Sequence, residues 1–262
     1  MVRRHEGTAF MGGAHVFPGG RVDGADGDAD ESWCDGVERA VAQFTGLPPA
    51  EALAYHVAAA RELFEEAGVL LARHPGGDYV SLAAAADHDR LKQDRVAVHE
   101  GRITLRAVIA REGLRLALDS LVLFAHWVTP PIDSRQFDTR FFMARVPPQQ
   151  TPAHDDTETT HSLWARPADA IAQAQRDEIV LPPPTWSTLR ELEPHESVND
   201  ALAWARARTV IRRMPKAIEE DGNRVLLLPG DPQHPDPGGD DAPLETRFVL
   251  RDRRWRAERP RT

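Results

Sequence analysis

Residues 58–68 read AAARELFEEAG, and whether this run is a plain surface helix or part of a site governs how the rest of the chain is read. Alanine and leucine favour helix, and Gly68 suits the position just past a helix end. Upstream, LPPAEALAYHVAAARELFEEAG (residues 47–68) places Pro49 where a first helical turn tolerates it. At about 100° per residue, with Glu62 at zero, Glu66 falls near ~40° and Glu65 near ~300°. Three carboxylates therefore share one narrow face, and Ala59, Leu63 and Ala67 are expected on the core-facing side. Like charges three and four residues apart repel, and Arg61 offsets only part of that. Two readings stay open: a solvated acidic face, or oxygen ligands for a hard divalent cation.

Working outward, GGAHVFPGGRVD (residues 12–23) reads as a short strand at 15–17 ending in a Pro-Gly-Gly turn. GADGDADES (24–32) reads as an acidic loop, and WCDGVERAVAQFTG (33–46) as a short helix stopped by Gly46. Residues 69–73 lead into an alanine-rich region without a clear pattern. Leu105, Val108, Ile109, Leu114 and Leu118 stand at helical spacing and predict one helix over 103–118. Strands are expected at 121–130 and 138–147 and near Trp164, and helices after Pro167, after the Pro-rich turn that opens residues 181–193, and over 200–212. The tail reads as two strands, RVLLLP (224–229) and TRFVLRD (246–252), around a Pro/Gly/Asp-rich loop. This mixture indicates the α/β class, as an α+β sandwich with a mixed β-sheet packed between helices.

Composition narrows the function. The 262 residues are 41% hydrophobic, enough for a packed core. No run of 18 or more apolar residues marks a transmembrane helix, and the start MVRRHEGTAFMGG lacks a signal peptide's apolar region. A net charge of -9 argues against nucleic-acid binding, which needs a basic face, but not against a phosphorylated small substrate beside a metal. A single cysteine, Cys34, fits a cytoplasmic location.

Gly19-Gly20 together with RELFEEAGV (residues 61–69) resembles the Nudix box: a glycine, a spaced glutamate, then Arg-Glu-apolar-x-Glu-Glu-x-Gly-apolar. Every fixed place of the second half matches. In ordinary boxes the glycine and the arginine lie close together, so the resemblance implies an insertion, at about residues 23–50. The spaced glutamate has Asp23 and Glu51 as its nearest candidates. One Nudix subgroup, the Nudix motif 19 coenzyme A diphosphatases, is similar in carrying an insertion there. It is similar also in FMGGAHVFPGGRVD (10–23), RELFEEAGVLLAR (61–73), HWVTPP (126–131), FDTRFFMA (137–144) and PPPTWSTLREL (182–192). The resemblance spans about residues 1–195. It implies a Nudix hydrolase domain over 1–197, with 198–262 as an extension of one helix and two strands packed on the same domain.

The resemblance further implies hydrolysis of a nucleoside diphosphate linked to another group, with coenzyme A or acyl-coenzyme A as the leading substrate. Other nucleotide diphosphates (ADP-ribose, NADH) and a catalytically silent nucleotide-binding module remain the alternatives. Glu62, Glu65 and Glu66 would hold Mg²⁺ or Mn²⁺, with Glu66 foremost. Arg61 would fix a glutamate's rotamer, and Gly19 and Gly20 would let the backbone turn sharply and approach the helix. Glu158 is the candidate general base. Arg3, Arg4 and Arg140 are candidate phosphate contacts. A mammalian member of the subgroup is peroxisomal, but Pro260-Arg261-Thr262 is not a peroxisomal tripeptide, so that location does not carry over. Nudix domains have a strand ahead of the segment that begins here at Val2. The edge left by its lack is expected to be covered by a homodimer partner or by the tail strands.

Overall fold

The computed structural model describes the chain except residues 8–10, 83, 131–135, 153–158, 239–242 and 261–262, and the side chains of 85–88, 159 and 160. In chain order the elements are β1 (Val2–Arg4), β2 (His15–Val16), β3 (Cys34–Asp35), α1 (Val37–Ala42), α2 (Pro49–Ala67), β4 (Ala72–Arg73), α3 (Ala85–His99), α4 (Leu105–Arg111), β5 (Arg115–Ala117) and β6 (Val122–Val128). They continue with β7 (Asp138–Met143), β8 (Thr159–Ser162), α5 (Pro167–Gln175), α6 (Pro183–Leu192), α7 (Val198–Ala207), β9 (Arg212–Arg213), β10 (Lys216–Glu220), β11 (Asn223–Leu227), β12 (Arg247–Arg251) and β13 (Arg254–Glu258). The fold is mixed α and β, as the sequence reads. It divides into two compact units, neither continuous in sequence. Unit 1 holds Met1–Gly12, Phe17–Leu123 and Phe142–Leu163, and unit 2 holds Gly13–Val16, Phe124–Phe141 and Trp164–Thr262.

Unit 1 is organised around α2. Pro49 opens the helix, and Gly68 ends it at φ 66, ψ 19, with its N–H bonded to the Phe64 carbonyl. Only glycine takes this left-handed conformation without a Cβ penalty. Leu53, Val57, Ala60, Phe64 and Ala67 recur every three or four residues and are buried in the unit 1 core with Leu70, Leu71, Val108, Ile109 and Leu116. This corrects the expected core face. Ala59 and Leu63 are only half-buried, because the core stripe runs along the side of α2 opposite Glu62.

Beside the core, β5 pairs in parallel with β3 (Cys34↔Leu116) and antiparallel with β4 (Ala72↔Leu116). The sequence reads 103–118 as one helix and 33–46 as another. Each instead contains a strand. Gly113 at φ 62 follows the end of α4, and Gly36 at φ 75 separates β3 from α1. Long-range pairing overrides helical spacing at both places. The alanine-rich region holds α3, and residues 159–162 form β8, which pairs antiparallel with β1 (Val2↔Ser162, Arg3↔His161). Cys34 is 1% exposed, and burial pushes its thiol up to about 12, which makes it a poor nucleophile.

His56, fully buried on α2, is held neutral. Its Nδ1–H donates to the Ala52 carbonyl at 2.9 Å, and its Nε2 accepts from the Gln43 amide at 3.0 Å. The same amide donates to the Leu121 carbonyl, while Gln43 Oε1 accepts from Leu123 N–H. Protonation would set a second N–H against the Gln43 amide. Burial lowers the His56 pKa from 6.5 to about 4, with the Ala52 hydrogen bond opposing. Because the folded value lies below the unfolded one, the unfolded chain binds the proton more tightly. His56 leaves stability undiminished above pH 6.5, and the loss develops as pH falls from 6.5 to about 4. At ~1.4 kcal/mol per pKa unit this loss is on the order of 3 kcal/mol. Urea melts at pH 7 and pH 4.5 are expected to show a smaller acid destabilisation in His56→Phe than in the wild type. An equal acid loss in both would remove His56 from the account.

Unit 2 contains α5, α6, α7 and β9 and most of β6 and β7; in the sheet β7-β6-β9, β6 and β9 run parallel. Helix α7 ends at Ala207, short of the expected 212, and begins at Ser197, whose hydroxyl accepts from Asp200 N–H. The tail carries more strands than the two read from the sequence. Strands β10, β11, β12 and β13 form an antiparallel meander of their own. The expectation that these strands cover a free edge of the Nudix sheet is therefore not met among the described residues. Two-residue turns at Asp221-Gly222 and Asp252-Arg253, all at positive φ, join β10 to β11 and β12 to β13.

Candidate active site

Two glutamates of α2, Glu62 and Glu65, bond Arg61. The Arg61 guanidinium uses all five of its donors: Nε on Asp26 Oδ1 (3.0 Å), Nη2 on Asp26 Oδ2 (3.0 Å) and the Arg21 carbonyl (2.7 Å), and Nη1 on Glu62 Oε1 (2.9 Å) and Glu65 Oε1 (3.0 Å). Burial alone would lower the Arg61 pKa. The Asp26 hydrogen bonds and the charges of Glu62 and Asp26 more than offset it, so the pKa is raised. Arg61 is a fixed cation whose planar fork holds two glutamates of its own helix and one acid from elsewhere.

That other acid is the residue sequence reasoning missed. Asp26 lies in a 3-10 turn (Gly24–Gly27) and is 2% exposed. Of the two sequence candidates for the spaced acid, Asp23 comes only to 3.8 Å from Arg61 with a largely exposed side chain, and Glu51 is exposed in the first turn of α2. Asp26 makes the bidentate pair, so it is the spaced acid of the box. An acid a few residues past Gly20 was the available signal, but it sat within a stretch that reads as flexible acidic loop.

The glycines act through approach. Neither Gly19 nor Gly20 takes a positive φ, so the expected sharp glycine-specific turn is absent at both. Gly19 N–H donates to Glu66 Oε2 at 3.0 Å, and a Cβ on Gly20 would stand 2.2 Å from Glu62 Oε1. Two further residues converge from α3: Arg95 Nε donates to the Glu65 carbonyl at 2.7 Å, and His99 Nδ1 lies 3.6 Å from Glu65 Oε2. Neither was legible in the alanine-rich region.

The other predicted residues lie on other elements. Arg3 and Arg4 lie on β1, and Arg3 Nη2 pairs with Glu6 at 2.6 Å. Arg140 lies on β7 in unit 2, ion-paired to Asp138, which also bonds His126 Nε2 at 2.7 Å. Burial first, then the charges of Arg140 and Arg212, lower His126 to about 4. Glu158 lies outside the described residues.

The Nudix resemblance implies a divalent cation at this site. Among the described residues no three His, Cys, Asp or Glu side chains already converge as a ligand cage. The chemistry of the cluster nevertheless fits. Asp26, Glu62 and Glu65 place three carboxylates on the Arg61 guanidinium, and Glu66, also buried, accepts the Gly19 N–H. That surplus of buried negative oxygen suits a hard cation.

Known proteins resemble this chain over most of its length. The NUDT19 Nudix domain family matches residues 36–192. The acyl-coenzyme A diphosphatase NUDT19 of Homo sapiens is 31% identical over 274 residues, covering 88% of this chain and 70% of its own length. That of Gallus gallus is 29% identical, covering 90% of this chain and 72% of its own. The crystal structure of a NUDIX hydrolase from Alicyclobacillus acidocaldarius superposes with a TM-score of 0.62 at 25% identity, over 77% of this chain and 86% of that one. With the box residues assembled around Arg61 and a family match across most of α2's unit, the chain belongs to the NUDT19 Nudix domain family and is a Nudix hydrolase.

Proposed function

We propose that this protein hydrolyses the diphosphate of coenzyme A or an acyl-coenzyme A, giving (acyl-)4'-phosphopantetheine and adenosine 3',5'-bisphosphate. The observation that carries this reading is the Arg61-centred carboxylate cluster with Gly20 pressed against Glu62, in a chain whose relatives are named acyl-coenzyme A diphosphatases. Glu66, Glu62 and Glu65 are the groups to hold Mg²⁺ or Mn²⁺. When bound, the cation neutralises phosphate charge and acidifies water. In the reaction, water forms a bond to one phosphorus, the bond from that phosphorus to the bridging oxygen breaks, and the bridging oxygen leaves on the other phosphate.

Arg61 does not need to touch substrate. It locks the rotamers of Glu62 and Glu65, so their oxygens are placed before substrate arrives. The Gly19 N–H does the same for Glu66. Glu158 is proposed as the base that takes the proton of the attacking water, and Arg3, Arg4 and Arg140 as contacts to substrate phosphates. The net charge of -9 supports a small-molecule substrate over nucleic acid, and the lone Cys34 supports a cytoplasmic location. No described helix is long and apolar enough to cross a membrane. A homodimer is proposed as the assembly.

The test is product formation from coenzyme A with Mg²⁺ or Mn²⁺, followed by chromatography of adenosine 3',5'-bisphosphate. Product with metal and none with a chelator supports the reading. No product with either metal sinks it.

Gly20→Ala isolates the approach of backbone to glutamate. The atoms nearest the added Cβ are those of the Glu62 carboxylate, which must shift against its Arg61 bond, so a small fall in melting temperature is expected. Turnover is expected to fall on the order of 10²-fold, the effect of displacing a positioned group by about 1 Å. Wild-type activity in this variant would mean that Glu62 need not sit where it does.

A further inference from the structure

The column of α2 that carries Glu62 and Glu66 continues toward the helix N-terminus. Tyr55 and Ala59 fall about 20° and 60° round from Glu62, so Tyr55, Ala59, Glu62 and Glu66 line one side of the helix. Tyr55, Ala59 and Glu62 are half-buried, whereas the core stripe on the opposite side is closed. At Tyr55 the column meets an aromatic patch. Phe44 stacks on Tyr55 with ring centroids 5.7 Å apart and planes at 21°. Phe142 lies 6.3 Å from Phe44 and 4.7 Å from His56. Phe44, Tyr55 and Phe142 are half-buried, and His56, locked between Gln43 and Ala52, brings no charge.

Distance selects which part of a substrate reaches this patch. At ~1.5 Å per residue, Tyr55 stands about 10 Å along the helix from Glu62 and about 16 Å from Glu66. A base joined to the diphosphate through one ribose reaches at most the nearer of these distances. An extended pantetheine arm, with a thiol or acyl group at its end, is long enough. The arm is uncharged, and aromatic faces accept methylene groups without stranding a polar atom. Phe44 also belongs to the stretch that interrupts the box, and Tyr55 lies on the part of α2 between that stretch and Arg61.

We infer that Phe44, Tyr55 and Phe142 receive the distal apolar end of an acyl-pantetheine arm, reached along Ala59, while the glutamates hold the diphosphate. This assignment rests on the reading of the glutamates given above. It gives the inserted stretch a task, which is to select substrates by what lies beyond the diphosphate.

The test compares octanoyl-coenzyme A with coenzyme A in the full-length protein. For Tyr55→Ala and Phe44→Ala, the ratio of kcat/KM for octanoyl-coenzyme A to that for coenzyme A is expected to fall about tenfold, mainly through KM. Ala59→Phe removes no packing and fills the column between Tyr55 and Glu62, so it serves if the truncations do not fold. It is expected to raise KM for octanoyl-coenzyme A about tenfold with kcat little changed. Melting curves identify the variants that are folded. Equal losses on both substrates, or ratios and KM within twofold of wild type in folded variants, overturn the assignment while the diphosphatase reading stands. A wild type that cleaves neither substrate overturns both.

Discussion

Glu66→Gln is expected to reduce turnover of coenzyme A at least ~10³-fold without unfolding the protein. The argument is local. Glu66 is 7% exposed, and its Oε2 accepts the Gly19 N–H at 3.0 Å. Glutamine keeps an amide oxygen of nearly the same size at that place, so the Gly19 contact survives. What is lost is one negative charge among oxygens that are to hold a divalent cation. A metal's stabilisation of developing phosphate charge is worth several kcal/mol, and each 1.4 kcal/mol is about tenfold in rate. Calorimetric titration with Mn²⁺ should show weaker binding in the variant, a readout that does not depend on the substrate. Glu66→Gln within about fivefold of wild-type kcat/KM would take Glu66 out of the metal site.

Arg61→Ala acts on stability before it acts on rate. Its side chain is about nine-tenths buried and satisfies Asp26, Glu62 and Glu65 together. Removing it leaves Asp26, 2% exposed, as a buried carboxylate without its bidentate partner. Breaking a buried pair from one side costs ~3–5 kcal/mol, much of it the penalty of the stranded charge. The double variant Asp26→Ala/Arg61→Ala is therefore expected to be less destabilised than the sum of the two single variants. Arg61→Lys should recover little, because a lysine cannot reproduce a five-donor planar fork. Urea unfolding of the four proteins measures this directly. A single Arg61→Ala loss below about 1 kcal/mol, or strict additivity in the cycle, would show the network to be decorative.

The sequence carried what depends on near neighbours along the chain. Helical spacing placed Glu62, Glu65 and Glu66 on one face of α2. Pro49 and Gly68 marked its ends, and the run over 61–69 carried the Nudix resemblance. These features follow from 3.6 residues per turn and from the φ that glycine alone takes freely, so they survive in any context. Strand and helix order over much of the chain was readable for the same reason.

Tertiary structure decided the rest, because its causes lie far apart in sequence. Spacing alone puts Ala59 and Leu63 on the core side. Packing against Val108, Ile109 and Leu116 turns α2 so that Leu53, Val57 and Phe64 face inward and Ala59 and Leu63 are left half-buried at the edge of the core. The apolar residues over 103–118 fit a helix, yet Leu116 is taken by strands at Cys34 and Ala72. No periodicity links Asp26 to Arg61, and no local signal brings His99 to Glu65. The buried Arg61 guanidinium fills all five donors only because the folded chain brings Asp26, Arg21, Glu62 and Glu65 to one place to supply acceptors.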